Sequence, residues 1–207
     1  MPLWAIVPVK PLRRGKSRLS TVLTEDERTA LNQNMLANTL KILSSVERID
    51  TIMVVSRDPG ALTLAREFGA RTVLENGNPE LNTALRRAAL VAKTYLANEI
   101  IIIPADLPLV TKQEIEDFLS RSGNPPEIVI SPDRRKDGTN MLYIHPAGLI
   151  QFNYGSGSFA KHLSQAEKAG ARIEIVESTP LGLDLDLPED LELLQNLQQQ
   201  GTSLHDQ

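Results

Sequence analysis

Short apolar runs alternate with longer amphipathic stretches from one end of the chain to the other. A short apolar run predicts a buried strand, and apolar positions three and four apart predict a helix that buries one face. Residues 100–103 are four consecutive isoleucines, and a strand that is apolar at every position is covered on both faces. The pattern predicts strands over residues 3–9, 51–55, 71–74, 99–103, 127–131, 141–144 and 172–176.

Capping residues, prolines and glycines mark the helices between these strands. Thr24 and Thr111 are each followed three residues later by a glutamate, which is the spacing of a capping box. Proline is favoured in the first turn of a helix, and glycine is favoured just after the last turn. Helices are therefore predicted over residues 24–43, 59–69, 79–92, 111–120, 158–169 and 188–198.

This alternation predicts an α/β fold with a Rossmann-like, mostly parallel sheet and helices on both faces. The chain shows no internal repeat and no linker, so we predict a single domain over residues 1–198, followed by a polar tail over 199–207. The simple alternation breaks near Asp133. The remainder is predicted to pack as a lobe over the carboxyl edge of the sheet.

Composition and charge exclude several classes of protein. The chain has 207 residues, which is the size of one domain, and it contains no cysteine, so a disulfide framework, a zinc ribbon and a thiol nucleophile are excluded. A net charge of −4 and only 4% aromatic residues argue against a nucleic-acid partner. No apolar run is long enough to span a membrane and no signal-peptide pattern is present, so we predict a cytoplasmic protein without membrane contact.

Ligands of open α/β sheets bind beyond the carboxyl ends of the strands, which draws attention to the residues that follow each strand. Residues 10–18 follow the first strand and carry five of the cations of an acidic chain, so they form either a triphosphate site or a solvated basic loop. The triplet that begins at Gly15 is not a P-loop, because that motif requires a glycine where Lys10 stands.

Acidic residues follow two later strands. A carboxylate at Asp106, directly after the isoleucine strand, costs desolvation unless it is paired or binds a cation such as Mg²⁺. Asp184 and Asp186 share one face if their segment is extended, and two carboxylates on one face also suit a cation. The structural alternatives are a capped turn at Asp106 and a strand that ends before a helix at Pro188.

Small residues occur in residues 137–140 and 154–158, and the second segment precedes a predicted helix, where exposed N–H groups and the helix dipole favour an anion. Such turns are also common without a ligand. His162 lies one turn further on and is interpreted as a half-buried packing residue. Together, the basic loop, the two acidic positions and this anion cradle suit the transfer of a nucleotidyl group to a small anionic acceptor.

Eight blocks carry a family resemblance: residues 7–11, 15–19, 27–28, 81–82, 104–108, 138–140, 157–162 and 183–191. In this order they resemble the 2-phospho-L-lactate guanylyltransferase family, whose bacterial members are phosphoenolpyruvate guanylyltransferases. The resemblance implies a glycosyltransferase-A-like nucleotidyltransferase fold, a homodimer, and GTP and a phosphorylated three-carbon acid as partners. The phosphate of the acid would attack the α-phosphorus of GTP and release pyrophosphate, and the product would feed the synthesis of a deazaflavin coenzyme.

The resemblance also implies roles for individual residues. Asp106 and Asp186 would hold Mg²⁺, with Asp184 as the substitute. Lys16 and Asp106 would be catalytic. The remaining positions would bind the nucleotide, through Lys10, Arg13, Lys16 and Asn82, or the phosphate of the acceptor, through Thr139, Gly155 and Ser158, mainly by their backbone N–H groups.

Two positions depart from the family pattern, because Leu81 stands where glycine is expected and Leu187 where a small polar residue is usual. Two other hypotheses remain open. The chain could be a nucleotidyltransferase of the same fold that uses CTP and a molybdopterin or sugar-phosphate acceptor, or a nucleotide-binding regulator without turnover. The sequence does not choose among phosphoenolpyruvate, 2-phospholactate and 3-phosphoglycerate, because such small differences are worth only about 1–3 kcal/mol in a pocket.

Overall fold

A seven-stranded sheet forms the centre of the protein. The computed structural model describes residues 2–75 and 80–203, with side chains described up to residue 197. The strands are β1 (Leu3–Val9), β2 (Thr51–Ser56), β3 (Arg71–Leu74), β4 (Glu99–Ile102), β5 (Glu127–Pro132), β6 (Thr139–His145) and β7 (Arg172–Ile175). Their order across the sheet is β3-β2-β1-β4-β6-β5-β7, and only β6 runs antiparallel to its neighbours in the described sheet. The predicted single-domain, mostly parallel α/β fold is confirmed.

Helices cover both faces of this sheet. They are α1 (Glu25–Ser45), α2 (Pro59–Glu67), α3 (Leu81–Thr94), α4 (Lys112–Ser120), α5 (Ser158–Lys168), α6 (Thr179–Gly182) and α7 (Pro188–Ser203). Ile101 and Ile103 join a core with α1, α2 and α4, whereas Ile100 and Ile102 join a second core with α3 and α5. Within the described residues, no helix is both long and apolar enough to cross a bilayer.

Most helix boundaries follow the predicted capping residues. Thr24 and Glu27 form the full capping box at the start of α1. Thr111 accepts the predicted backbone bond from Glu114 at 3.2 Å, but the carboxylate of Glu114 accepts from the Ser178 hydroxyl instead. The predicted helix start at residue 79 lies outside the described residues. The last helix continues beyond its predicted end at residue 198, because glutamine has a good helix propensity, and residues 204–207 of the polar tail are outside the described part.

The segment after Asp133 does not form a separate lobe, so that prediction is wrong. Its first strand, β6, enters the sheet between β4 and β5 and pairs Leu142 with Ile102. Because β6 runs against its neighbours, it begins at the edge where the parallel strands end. Thr139, the first residue of β6, therefore lies at the carboxyl edge, where an α/β sheet binds ligands.

Candidate active site

A cavity of about 500 Å³ opens at the carboxyl edge of the sheet. Its walls come from the loops that follow β1 and β4, from the start of β6 and from the segment before α7. Six of the residues singled out from the sequence line it: Lys10, Lys16, Asp106, Thr139, Asp184 and Asp186. The basic loop and both acidic segments thus converge on one space.

The ammonium group of Lys16 lies between two carboxylates in this cavity. Its Nζ is 2.8 Å from Oδ2 of Asp106 and 3.1 Å from Oδ1 of Asp186. The Lys16 side chain is only 5% exposed, whereas the two aspartates are about one-third exposed, at 29% and 30%. Burial lowers the pKa of Lys16, but the two carboxylates outweigh burial and raise that pKa above its ordinary value. The lysine therefore stays charged and holds the two acidic segments together.

A constrained loop places Lys16 there. The backbone of Lys16 has φ +57°, a left-handed conformation that residues other than glycine rarely adopt. Gly15 donates its N–H to the Pro11 carbonyl at 2.8 Å, and the Asn32 amide donates to the Leu12 carbonyl at 2.7 Å. A Cβ on Gly15 would lie 2.8 Å from the Asn32 amide nitrogen. A methyl group at position 15 would therefore displace the Asn32 side chain, because α1 approaches this loop closely.

The segment before α7 presents its two aspartates on one face, as predicted. Leu183 and Leu185 are 1% and 0% exposed and pack with Leu194 of α7. Because side chains alternate along an extended segment, Asp184 and Asp186 point the other way and line the cavity. The N–H of Leu185 also donates to the carbonyl of Asp106 at 3.0 Å, which ties the two acidic segments together through the backbone.

The two aspartates of this segment differ in pKa. Burial opposes ionisation of Asp186, but Lys16, Lys10 and Arg18 hold its pKa below the ordinary value. The Arg18 guanidinium is 3.8 Å from Asp186. Burial, together with the negative charges of Asp106 and Asp186, raises the pKa of Asp184 to about 6. Asp184 is thus the carboxylate that the unliganded site compensates least.

Asp190 positions this acidic segment and was not singled out from the sequence. It is 3% exposed, and its Oδ2 accepts the N–H groups of Asp186 and Leu187 at 3.1 and 2.7 Å. Its Oδ1 accepts from Arg134 at 2.6 Å. Asp190 stands at the third position of α7, from which a side chain can cap the preceding N–H. The sequence signal that could have identified Asp190 is this position near the start of the helix. The Asp190 carboxylate caps the start of α7, although Leu187 stands where the family has a small polar residue.

Of the three other predicted nucleotide-binding residues, Lys10 lines the cavity and Arg13 and Asn82 do not. Arg13 is 72% exposed and pairs with Glu25 of α1 at 3.4 Å, and it is not among the residues that line the cavity. The amide of Asn82 brackets the backbone of Tyr154, since its Oδ1 accepts the Tyr154 N–H at 2.7 Å and its Nδ2 donates to the Tyr154 carbonyl at 3.2 Å. Nucleotide roles for Arg13 and Asn82 stay predictions.

The predicted acceptor residues are also only partly brought together. Thr139 lines the cavity, whereas Gly155 and Ser158 are not among its lining residues. The Ser158 N–H donates to the Gly155 carbonyl at 3.0 Å, and the Gly157 N–H donates to Asp137 at 3.0 Å. The backbone donors at the start of α5 thus have partners within the protein. An acceptor role for Gly155 and Ser158 stays a prediction, and for Ser158 it requires the backbone N–H to leave the Gly155 carbonyl.

Several lining residues had no clear signal in the sequence. Asn140 and Tyr154 line the cavity, and the Asn140 amide donates to the Leu181 carbonyl at 2.8 Å. Asn140 follows Thr139 in a segment that was predicted to form the anion cradle, but no role was predicted for its side chain. Its place in the cavity depends on the antiparallel direction of β6, which the alternation of strands and helices does not reveal. His162, interpreted as half-buried, is fully buried, with 0% exposure.

Comparisons with known proteins agree with this geometry. Residues 3–203 match the family model described as guanylyl transferase CofC like. The chain is 38% identical over 195 residues to the phosphoenolpyruvate guanylyltransferase of Rubrobacter xylanophilus, covering 94% of each protein. It is 40% identical over 187 residues to the 2-phospho-L-lactate guanylyltransferase of Methanocaldococcus jannaschii, covering 90% of this chain and 79% of that protein.

The fold is shared more widely. A nucleotidyl transferase from Methanothermobacter superposes with a TM-score of 0.69 at 14% identity, covering 94% of this chain and 96% of that one. At this identity the likeness concerns the fold alone. The family model and the relatives, which span nearly the whole chain, go further: this protein belongs to the CofC-like guanylyl transferase family.

Proposed function

We propose that this chain transfers the guanylyl group of GTP to the phosphate of a three-carbon acid, phosphoenolpyruvate or 2-phospho-L-lactate, and releases pyrophosphate. One observation carries the proposal: Lys16 is held between Asp106 and Asp186 inside the cavity at the carboxyl edge of the sheet. Such a site can exchange its internal ion pairs for a metal-bound triphosphate. The relatives named for these two activities support the choice of GTP and of the acid.

We propose Mg²⁺ as the cofactor, held by Asp106 and Asp186 with Asp184 beside them. The fit rests on the position of Lys16, because the two carboxylates already converge on a cation. In residues 2–75 and 80–203, no three acidic or histidine side chains are grouped so as to hold a metal alone. Phosphate oxygens of the nucleotide would therefore complete the ligand set. When bound, Mg²⁺ would neutralise charge on the phosphates as a Lewis acid.

The residues of the chain would bind and orient the reactants. The three N–H donors of the Lys16 ammonium would turn from the carboxylates to the phosphates. Lys10, which also lines the cavity, would bind the phosphates beside Lys16. A phosphate oxygen of the acid attacks the α-phosphorus of GTP, the bond to the bridging oxygen breaks, and pyrophosphate leaves. Lys16 and Lys10 would stabilise the negative charge that moves onto the leaving group. Thr139, which also lines the cavity, would contact the acid.

Pyrophosphate release tests the proposal. The assay combines Mg²⁺ with each of four nucleoside triphosphates and each of three acids: phosphoenolpyruvate, 2-phospho-L-lactate and 3-phosphoglycerate. We expect release with GTP and one of the first two acids, and loss of release in Asp106→Asn. Release with CTP only would contradict the choice of GTP as the nucleotide, and release with no pair would contradict the proposed activity.

We also propose that the chain acts as a homodimer, and sedimentation velocity measures its oligomeric state.

A further inference from the structure

His162 of α5 is a buried histidine with a partner on each ring nitrogen. It is 0% exposed, its Nδ1 lies 3.0 Å from the Thr139 hydroxyl, and its Nε2 accepts the backbone N–H of Asn153 at 3.0 Å. Its ring meets the ring of Tyr154 edge-on, with 5.1 Å between centroids. These two bonds fix the orientation of the ring in the core.

The backbone partner decides where the proton of this ring lies. A backbone N–H can only donate, so Nε2 of His162 must accept and carries no proton. The single proton of the neutral ring is then on Nδ1, and Nδ1 donates to the Thr139 hydroxyl oxygen. Burial, together with the charge of Lys161, lowers the pKa of His162 to about 4, which keeps the ring neutral at ordinary pH.

This bond settles the role of the Thr139 hydroxyl. Its oxygen accepts from His162, so its own proton is left for a different partner. The hydroxyl of Ser158 is 3.4 Å away, which is longer than an ordinary O–H···O bond. Thr139 lines the cavity, where an anion can accept that proton. We propose that His162 is a positioning residue that holds the Thr139 hydroxyl as a hydrogen-bond donor to the anionic acceptor. This inference rests on the proposed function.

The loop that sets the histidine tautomer is itself held in place. Asn82 of α3 brackets the backbone of Tyr154, the residue after Asn153. On the other side, Gln165 of α5 accepts the Gln151 N–H at 2.8 Å and donates to its carbonyl at 3.1 Å. Asn82 therefore holds the loop that carries Asn153, the partner of His162, and has no direct bond to Thr139. Gln165 holds the same loop and likewise has no bond to Thr139.

Two substitutions separate the two bonds of His162. In His162→Asn, the side-chain amide lies near the position of Nδ1 and can still donate to Thr139, but the bond from Asn153 is lost. In His162→Gln, the longer side chain can still accept from Asn153, but the donor to Thr139 is lost. Gln165→Leu is the matched control, because it loosens the same loop and leaves the His162–Thr139 bond intact. Circular dichroism and thermal denaturation check that each variant folds.

The readout is the split between the Michaelis constants of the two substrates. We expect His162→Gln to raise the KM for the acid about tenfold or more, the value of one hydrogen bond to a charged group, with the KM for GTP unchanged. His162→Asn and Gln165→Leu should stay near wild type. In a Thr139→Val background, His162→Gln should add nothing further, because the two residues then act as one unit.

The outcomes distinguish the inference from the proposed function. If the wild-type protein turns over but His162→Asn raises the KM for the acid more than His162→Gln, or if both substrates are affected equally, the inference is wrong and the function stands. If the wild type turns over no pair, both are wrong. Should His162→Gln not fold, nitrogen NMR of the wild type decides: a proton on Nδ1 supports the inference, and a proton on Nε2 overturns it.

Discussion

Asp184→Asn should stabilise the unliganded protein at neutral pH while it lowers activity. Lys16 compensates Asp106 and Asp186, but its ammonium is not bonded to Asp184. The negative charge of Asp184 is therefore the excess charge of the acidic cluster. An amide of the same shape removes that charge without leaving a void, and it keeps a polar group at the wall of the cavity.

The magnitude follows from the pKa of Asp184, which rises from 3.8 to about 6 in the folded protein. One pKa unit corresponds to about 1.4 kcal/mol, so two units set an upper limit of about 3 kcal/mol. The side chain is half-buried and faces the cavity, so solvent screening reduces the expected gain to about 1 kcal/mol. For a chain of this size, that corresponds to a rise in Tm of about 2–4 °C.

The dependence on pH makes the test specific. Because the folded pKa is raised, the folded state binds more protons than the unfolded state between pH 4 and about 6, and the stability of the wild type falls as the pH rises through that window. The advantage of Asp184→Asn should be complete above pH 6 and vanish near pH 4. Differential scanning calorimetry in EDTA measures it, with Asp117→Asn on α4 as a control for net charge. A constant difference, or a less stable variant at pH 7.5, would refute the reasoning.

Three further substitutions test the site. Lys16→Met should lower stability by about 1–2 kcal/mol, because Asp106 and Asp186 then lose the cation that lies between them, and added Mg²⁺ should raise the Tm of the variant more than that of the wild type. Asp106→Asn should keep its circular dichroism spectrum but lose most pyrophosphate release, because an amide holds Mg²⁺ poorly. Gly15→Ala should lower turnover and cost about 1–3 kcal/mol in denaturant unfolding, because its methyl group meets Asn32.

Local patterns were sufficient to predict the sheet and much of the site. The isoleucine run marks β4, because both faces of that strand are covered by helices. The alternation of leucine and aspartate over 183–186 places Asp184 and Asp186 on one face, because the leucines are drawn into the core beside α7. Residues that follow strands meet at the carboxyl edge for the same topological reason. Each of these predictions needs only the order of residue types within one short segment.

The remaining features depend on contacts between distant segments. The basic loop offers five cations, and only its backbone path decides that Lys16 reaches the carboxylates while Arg13 turns toward Glu25. The position of Thr139 requires β6 to run antiparallel between β4 and β5, and this pairing joins segments that are far apart in the sequence. The tautomer of His162 is set by a backbone group nine residues away. No periodic pattern carries this information.

In the unliganded site, the positive charge of Lys16 offsets the negative charges of Asp106 and Asp186. Three carboxylates around one cavity repel one another, and a left-handed residue costs about 1–3 kcal/mol, so both the charges and the loop are unfavourable taken separately. They are compatible because Lys16 at φ +57° reaches both Asp106 and Asp186. The carboxylates stabilise the strained loop, and the loop stabilises the carboxylates. A substitution on either side of this pairing should therefore disturb the other side, and Asp190, which is not among the residues that line the cavity, should affect function through it.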